Sequence, residues 1–137
     1  LIDFDMDLAK SQSSDNPVYY VQYAHARICS ILAQAGSAYD DIAVDPSLCC
    51  SVAEQQLIRK LADFPDQVAF AALHREPHHV AVYLLELAGC FHNFYGQCHC
   101  LVEDKALTAS RLALVRTAKG VLQRGLALLG VSAPEKM

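Results

Sequence analysis

The sequence predicts an all-α fold, a bundle of about five helices, three long and two short. Three observations carry this. Apolar residues recur every three or four positions over long runs. Helix start and stop signals bracket those runs. No stretch alternates apolar and polar residues as a half-buried strand would, and no internal repeat is visible. The 137 residues suit one domain, and 53% apolar with 19% charged residues excludes a disordered chain.

Residues 1–14 are acidic and then serine-rich, with Asp3, Asp5 and Asp7 followed by Ser11, Ser13 and Ser14. They read as a tail or connector. The helical domain is expected over 15–137. Its first helix opens at Asp15-Asn16-Pro17, where either polar residue can cap free N–H groups and Pro17 suits the first helical position. Val21, Ala24, Ile28, Leu32 and Ala35 then form one apolar stripe, and Gly36 is the expected stop. A loop covers 37–50. Ser51-Val52-Ala53-Glu54 fits a capping box, opening a short helix with Leu57, Ile58 and Leu61 inward. Pro65 opens another, with Val68, Ala72 and Leu73 as its inward candidates, ending near Glu76. Pro77 opens a longer helix to about Gly96, with Val80, Leu84, Leu87, Phe91 and Phe94 inward. The last helix runs from about Ala106 to Leu129, with Gly130 as its left-handed end and Val131 as the accompanying hydrophobic contact.

The formal charge is −4, which by itself argues against a generic basic nucleic-acid binder. The total hides an asymmetry. Residues 105–137 hold six basic residues and one acidic, net +5, which leaves −9 on the first 104. One face of the folded domain can therefore be basic. The longest uncharged stretch, Leu87–Val102, is broken by His92, Asn93, Gln97 and His99 and is shorter than the roughly 20 residues of a membrane span. No basic region precedes an apolar run at the N-terminus, so no signal peptide is evident. These features predict a cytoplasmic chain without membrane contact. Leu1 in place of an initiating Met suggests a piece of a longer protein. The six cysteines show no regular framework, since Cys49 adjoins Cys50 and Cys98 nearly adjoins Cys100, and reduced thiols are expected.

No glycine-rich nucleotide loop or nucleophile elbow is present, so no catalytic residue is assigned. No metal site is assigned either. His78 and His79, as neighbours on a helix, should point about 100° apart and fail to share an ion. Cys98-His99-Cys100, with Cys90 and His92 nearby, has soft donors, but Cys-x-Cys matches closed zinc spacings poorly. The polar side of the first helix is more informative. Tyr20, Arg27 and Gln34 are seven apart and lie along one line. A flat ring and a planar cation both suit an unpaired base. Packing of the Tyr on a neighbouring helix, with the Arg in a surface ion pair, accounts for the same spacing.

Three separated motifs weigh between these readings. Asn16-Pro17-Val18-Tyr19-Tyr20-Val21-Gln22-Tyr23-Ala24-His25-Ala26-Arg27, with Phe4-Asp5 before it and Ile28 after it, is the first. Pro77-His78 to Tyr83-Leu84, Leu87-Ala88 and Phe94-Tyr95 form the second. Arg111-Leu112-Ala113-Leu114-Val115, Val121-Leu122, Gly125-Leu126, Leu128 to Val131 and Pro134 to Met137 form the third. In this order, over nearly the whole chain, they resemble the C-terminal domain of arginyl-tRNA synthetases. That is the helical anticodon-binding domain of class I synthetases, known by an Asp-Ala-Leu-Arg signature. Here the signature reads Ala109-Ser110-Arg111-Leu112, a degenerate version that keeps an Arg-Leu core.

The resemblance implies a tRNA-binding module that is not itself catalytic. It would position arginine tRNA for an ATP- and Mg-dependent ligase whose catalytic domain lies upstream, with residues 1–14 as the connector. The partners implied are arginine tRNA and that catalytic domain, in a monomer; the fragment itself holds no cofactor. Carried over by position, the anticodon-facing residues match Tyr20, Arg27, Tyr95, His99 and Met137. His99 stands where relatives can carry a larger ring. Two other readings remain: the equivalent domain of another class I synthetase, such as the cysteine enzyme, and a helical protein-interaction module without an RNA role.

On the last helix, a wheel centred on Arg111 places Leu107, Ala118, Leu122 and Leu129 within about 40° of it. Arg111 should therefore be a structural residue paired with a carboxylate, Glu86 or Asp15. Arg116 and Arg124, about 140° and 220° away, and Lys119 at the border of the apolar face are candidates for phosphate contact.

Overall fold

In the computed structural model, which describes residues 5–137, the chain forms α1 (Met6–Lys10), α2 (Pro17–Ala35), α3 (Val52–Ala62), α4 (Phe64–His74), α5 (His78–Gln97) and α6 (Lys105–Leu128), with a 3₁₀ turn at Pro46–Leu48. Asp3 and Phe4 lie outside the described residues. No strand occurs among the described residues, so the all-α bundle stands. The connector expected over 1–14 holds one more helical turn than expected. Asp5 accepts from the N–H groups of Asp7 and Leu8 and caps α1, which buries nothing.

The end signals act where the sequence puts them. Asn16, not Asp15, caps α2 by accepting from Val18 N–H, and its amide group donates to the carbonyls of Ala9 and Ser11. Gly36 (φ 57°) and Gly130 (φ 71°) take the left-handed backbone that ends α2 and α6. Val131 N–H then donates to Leu126 carbonyl at 2.9 Å, and Val131 packs against the core. Ser51 and Glu54 close the capping box of α3.

Helix α5 is the axis of the bundle and contacts α2, α3, α4 and α6. Its buried Val80, Tyr83, Leu84, Leu87, Phe91 and Phe94 meet Ala24 and Ile28 of α2, Leu57 of α3, and Leu112, Val115, Ala118 and Leu122 of α6 in one core. Gly125 lets α5 and α6 approach, since a Cβ there would sit 2.5 Å from a methyl of Leu84. The Tyr83 hydroxyl donates to Lys60 carbonyl at 2.6 Å.

Helix α4 departs from expectation. Ala71 is its buried residue, Val68 is half-buried, and Ala72 and Leu73 face solvent, Leu73 at 79% exposure. Residues 68–73 are apolar without interruption, so periodicity selects no face. Rotation is instead set by Asp63, the single residue that ends α3 and begins α4.

Arg111 is a structural ion-pair residue, but its partner is neither Glu86, which pairs with Lys60, nor the exposed Asp15. Its Nε donates to Glu54 Oε1 at 2.6 Å and its Nη1 donates to His99 carbonyl at 2.6 Å. Burial alone would push the Glu54 carboxyl up. Hydrogen bonds from Arg111 and Ser51 outweigh it and hold the carboxyl below its ordinary value. Because the folded-state value is lowered, this contribution to stability is complete above about pH 4.5 and is lost as the pH falls. Arg111→Ala leaves Glu54 buried and unpaired and should cost about 3–5 kcal/mol. Denaturant unfolding at neutral pH checks this; a loss under about 1 kcal/mol, normal for a surface change, would show that the pair does not support the fold.

Candidate nucleic-acid interface

The polar ladder of α2 runs through Tyr19, Tyr23 and Arg27, spaced by four and therefore stacked along one face. The Tyr19 and Tyr23 rings stack with centroids 6.4 Å apart. The Arg27 guanidinium lies over the Tyr23 ring, 4.9 Å from its centroid, and donates to the Tyr23 hydroxyl. From the end of α5, Tyr95 presents its face to the same cation at 4.5 Å. Arg27 is thus held between two rings carried by α2 and α5.

These side chains open onto a groove of about 520 Å³. Gln34 lines it from the end of α2, and Lys136 and Met137 line it from the last segment of the chain. A neighbouring recess of about 260 Å³ shares Ile31, Gln34 and Tyr95 and adds His99. Arg27, Tyr95, His99 and Met137 therefore surround one continuous surface. No acidic residue lines the groove or the recess, and Arg27 and Lys136 place a pair of positive charges in the groove. An anion or an unpaired base fits such a surface.

Tyr20 stands apart from the groove. It lines a separate recess with Gln12, Ser13, Ser14, Tyr19 and Tyr23. Its ring packs on His92 at 4.8 Å, half-buried against the core. Tyr20 and Tyr23 lie about 20° and 40° to either side of Arg27 on the helical wheel, and packing decides between them: α5 covers Tyr20 through His92, while Tyr23 meets the guanidinium. Sequence reasoning missed Tyr23 and Lys136. The signal for Tyr23 was its spacing of four from Arg27, while Lys136 gave none.

The expected phosphate candidates lie elsewhere. Arg116 is paired with Asp40 at 3.0 Å, Arg124 borders an apolar hollow with Phe64 and Pro65, and Lys119 lines neither groove nor recess. His78 and His79 also depart from expectation. Their rings lie side by side, 4.2 Å between centroids, and with Glu76 they bring three donor atoms within 4.8 Å of one another. Side-chain rotation at the first turn of α5 overcomes the 100° separation of their Cα positions. All six cysteines are free. Cys98 and Cys100 are buried while His99 is exposed, and burial pushes the Cys100 thiol up to about 11. No helix among the described residues is long and apolar enough to cross a membrane.

His92 supports the ladder from behind, with Tyr20 and Tyr23 at 4.8 and 5.8 Å. Burial, reinforced by the nearby Arg27 cation, holds its imidazole below the ordinary value, so the neutral form is favoured in the fold. A lowered histidine contributes stability fully above about pH 6.5 and loses it as the pH falls. The melting temperature of the wild type should therefore drop more steeply between about pH 7.5 and about pH 5.5 than that of His92→Phe. Parallel curves would remove His92 as the titrating support.

Three comparisons bear on this surface. The family model described as the DALR anticodon binding domain matches residues 21–137. The arginine–tRNA ligases of Nitrosomonas europaea and Desulforamulus reducens are 53% and 51% identical to the chain over 99% of its length. The chain spans about a quarter of each, 23% and 25%. The solved arginyl-tRNA synthetase of Thermus thermophilus superposes with a TM-score of 0.84 at 37% identity, covering 99% of this chain and 24% of that one.

Proposed function

The chain belongs to the DALR anticodon-binding domain family, and we propose that its groove holds the anticodon loop of arginine tRNA for an arginine–tRNA ligase. The observation that carries this reading is the Arg27 guanidinium held over the Tyr23 and Tyr95 rings beside an open groove lined by no acidic side chain. Bases of a loop can be splayed out and stacked on tyrosine or on a guanidinium plane, and their edges read by hydrogen bonds. Gln34 and the free donors of Arg27 supply such bonds. Tyr95, His99 and Met137 form the surface, and Tyr23 joins them. Tyr20 acts through Tyr23 and His92.

In this reading residues 15–137 are the domain, and 1–14 lead from a catalytic region outside this chain. Adenylation of arginine with ATP and Mg, the cytoplasmic setting and the monomeric state belong to that whole protein. In this reading the chain's own role is to bind and orient the tRNA. A purely protein-binding module lacks a specific observation in its favour. The relatives named arginine–tRNA ligase favour arginine over another class I synthetase.

The test uses the full protein that carries this domain. Arg27→Ala and Tyr95→Ala should each weaken arginine-tRNA binding by about 1–3 kcal/mol, roughly fivefold to 150-fold. Both sit at the surface, so stability should stay within about 1 kcal/mol of wild type. Charging and filter-binding titrations measure the effect. Unchanged kcat/KM and Kd in both folded variants would remove the groove from tRNA recognition.

A further inference from the structure

The last segment of the chain is not a loose end. After Gly130 turns the backbone, residues 131–137 form no helix and run along α2. The Gln22 side-chain amide donates to Ser132 carbonyl at 2.9 Å. His25 Nδ1 lies 2.9 Å from Pro134 carbonyl. A carbonyl only accepts, so Nδ1 carries the proton and donates. Two residues further on, Lys136 and then Met137 reach the groove beside Arg27 and Ser30.

His25 is an unusual position for a polar ring. It is 1% exposed, and its Nε2 is buried with no hydrogen-bond partner among the described residues. Its Nδ1 sits 2.9 Å from the last segment, with Cys29 Sγ of its own helix farther off at 3.9 Å. Lys136, for its part, has no carboxylate within ion-pair distance among the described residues, whereas Arg116 and Arg111 are paired. Arg27 is engaged on two rings. Lys136 is therefore the uncommitted point charge of the groove.

We propose that residues 131–137 are a clamped arm of the groove, with Gln22 and His25 as positioning residues and Lys136 as the cation the arm delivers to a phosphate of the RNA backbone. This rests on the reading of the groove as an RNA surface. An ammonium on a short arm makes a sequence-independent contact, complementary to the base-stacking side chains of α2 and α5.

The experiment measures arginine-tRNA affinity of the full protein against salt, with hydrogen exchange of the amides of 131–137. Lys136→Gln should lower affinity at low salt and flatten the log–log salt slope by about 0.7. His25→Leu should give the same flattening and faster exchange in the arm. His25→Asn, whose amide can place an N–H near the position of Nδ1, should keep both close to wild type. Adding Lys136→Gln to His25→Leu should flatten the slope no further. If His25→Leu does not fold, Gln22→Ala, which removes the bond to Ser132, takes its place with the same expectations. A slope unchanged in Lys136→Gln, additive slope losses in the double variant, or an arm unloosened in His25→Leu overturns the clamp, provided Arg27→Ala still weakens binding. If Arg27→Ala also binds normally, the RNA reading itself fails.

Discussion

The contact between Glu54 and Arg111 is where the separate elements of this bundle are made to agree. Glu54 uses one carboxylate oxygen to accept from Ser51 N–H, closing the cap of α3, and the other to accept from Arg111 of α6. Arg111 then donates to the backbone of His99 in the α5–α6 connection. One buried charge pair therefore sets the start of α3, the side chain of α6 and the loop that carries a groove residue. Burying two charges is expensive in itself, and a well-packed apolar pair of equal volume could give similar stability. An apolar pair could not donate to His99 carbonyl. The ion pair is better explained by the geometry it imposes on a polar loop than by net stabilisation.

The same dependence appears at the groove. Arg27 and Tyr95 come from α2 and α5, whose facing residues include Ala24, Ala88 and Gly89. Tyr20 and His92 fill the layer beneath, and Tyr23 rests on that layer. A guanidinium on an exposed helix would sample many rotamers. Two rings and one hydroxyl restrict it here, so little freedom is left to lose when a base or phosphate arrives.

The bundle was legible because helix ends are written in local chemistry. Asn16, the Ser51–Glu54 box, Gly36 and Gly130 act through bonds or backbone angles within a few residues, and the sequence alone contains both partners. The readings that failed needed a partner from elsewhere in the chain. Arg111 was correctly placed on the apolar face of α6, yet nothing local distinguishes Glu54 from Glu86 or Asp15. Tyr20 and Tyr23 differ by less than one turn, and only the position of α5 decides which ring is covered. The uninterrupted apolar run of α4 carried no facial signal. Arg27 entered through its spacing on the first helix as well as through resemblance, Tyr95, His99 and Met137 through resemblance, and their convergence on one surface is a property of the fold.

Charge at the groove is a local matter. A net −4 argues against a generic basic nucleic-acid binder, and of the basic residues from 105 onward Lys136 is the one that lines the groove. Arg111 is neutralised by Glu54 and Arg116 by Asp40, while Arg124 borders the hollow beside Phe64. What remains at the groove is Arg27, Lys136 and a lining without acidic side chains. Potential near a surface is governed by charges within about a Debye length, roughly 8–10 Å at physiological salt, so the distant acidic residues are largely screened there. Two cations cannot supply the long phosphate track of a generic nucleic-acid binder. On the proposed reading the flat side chains then carry much of the affinity, which suits recognition of a few splayed bases.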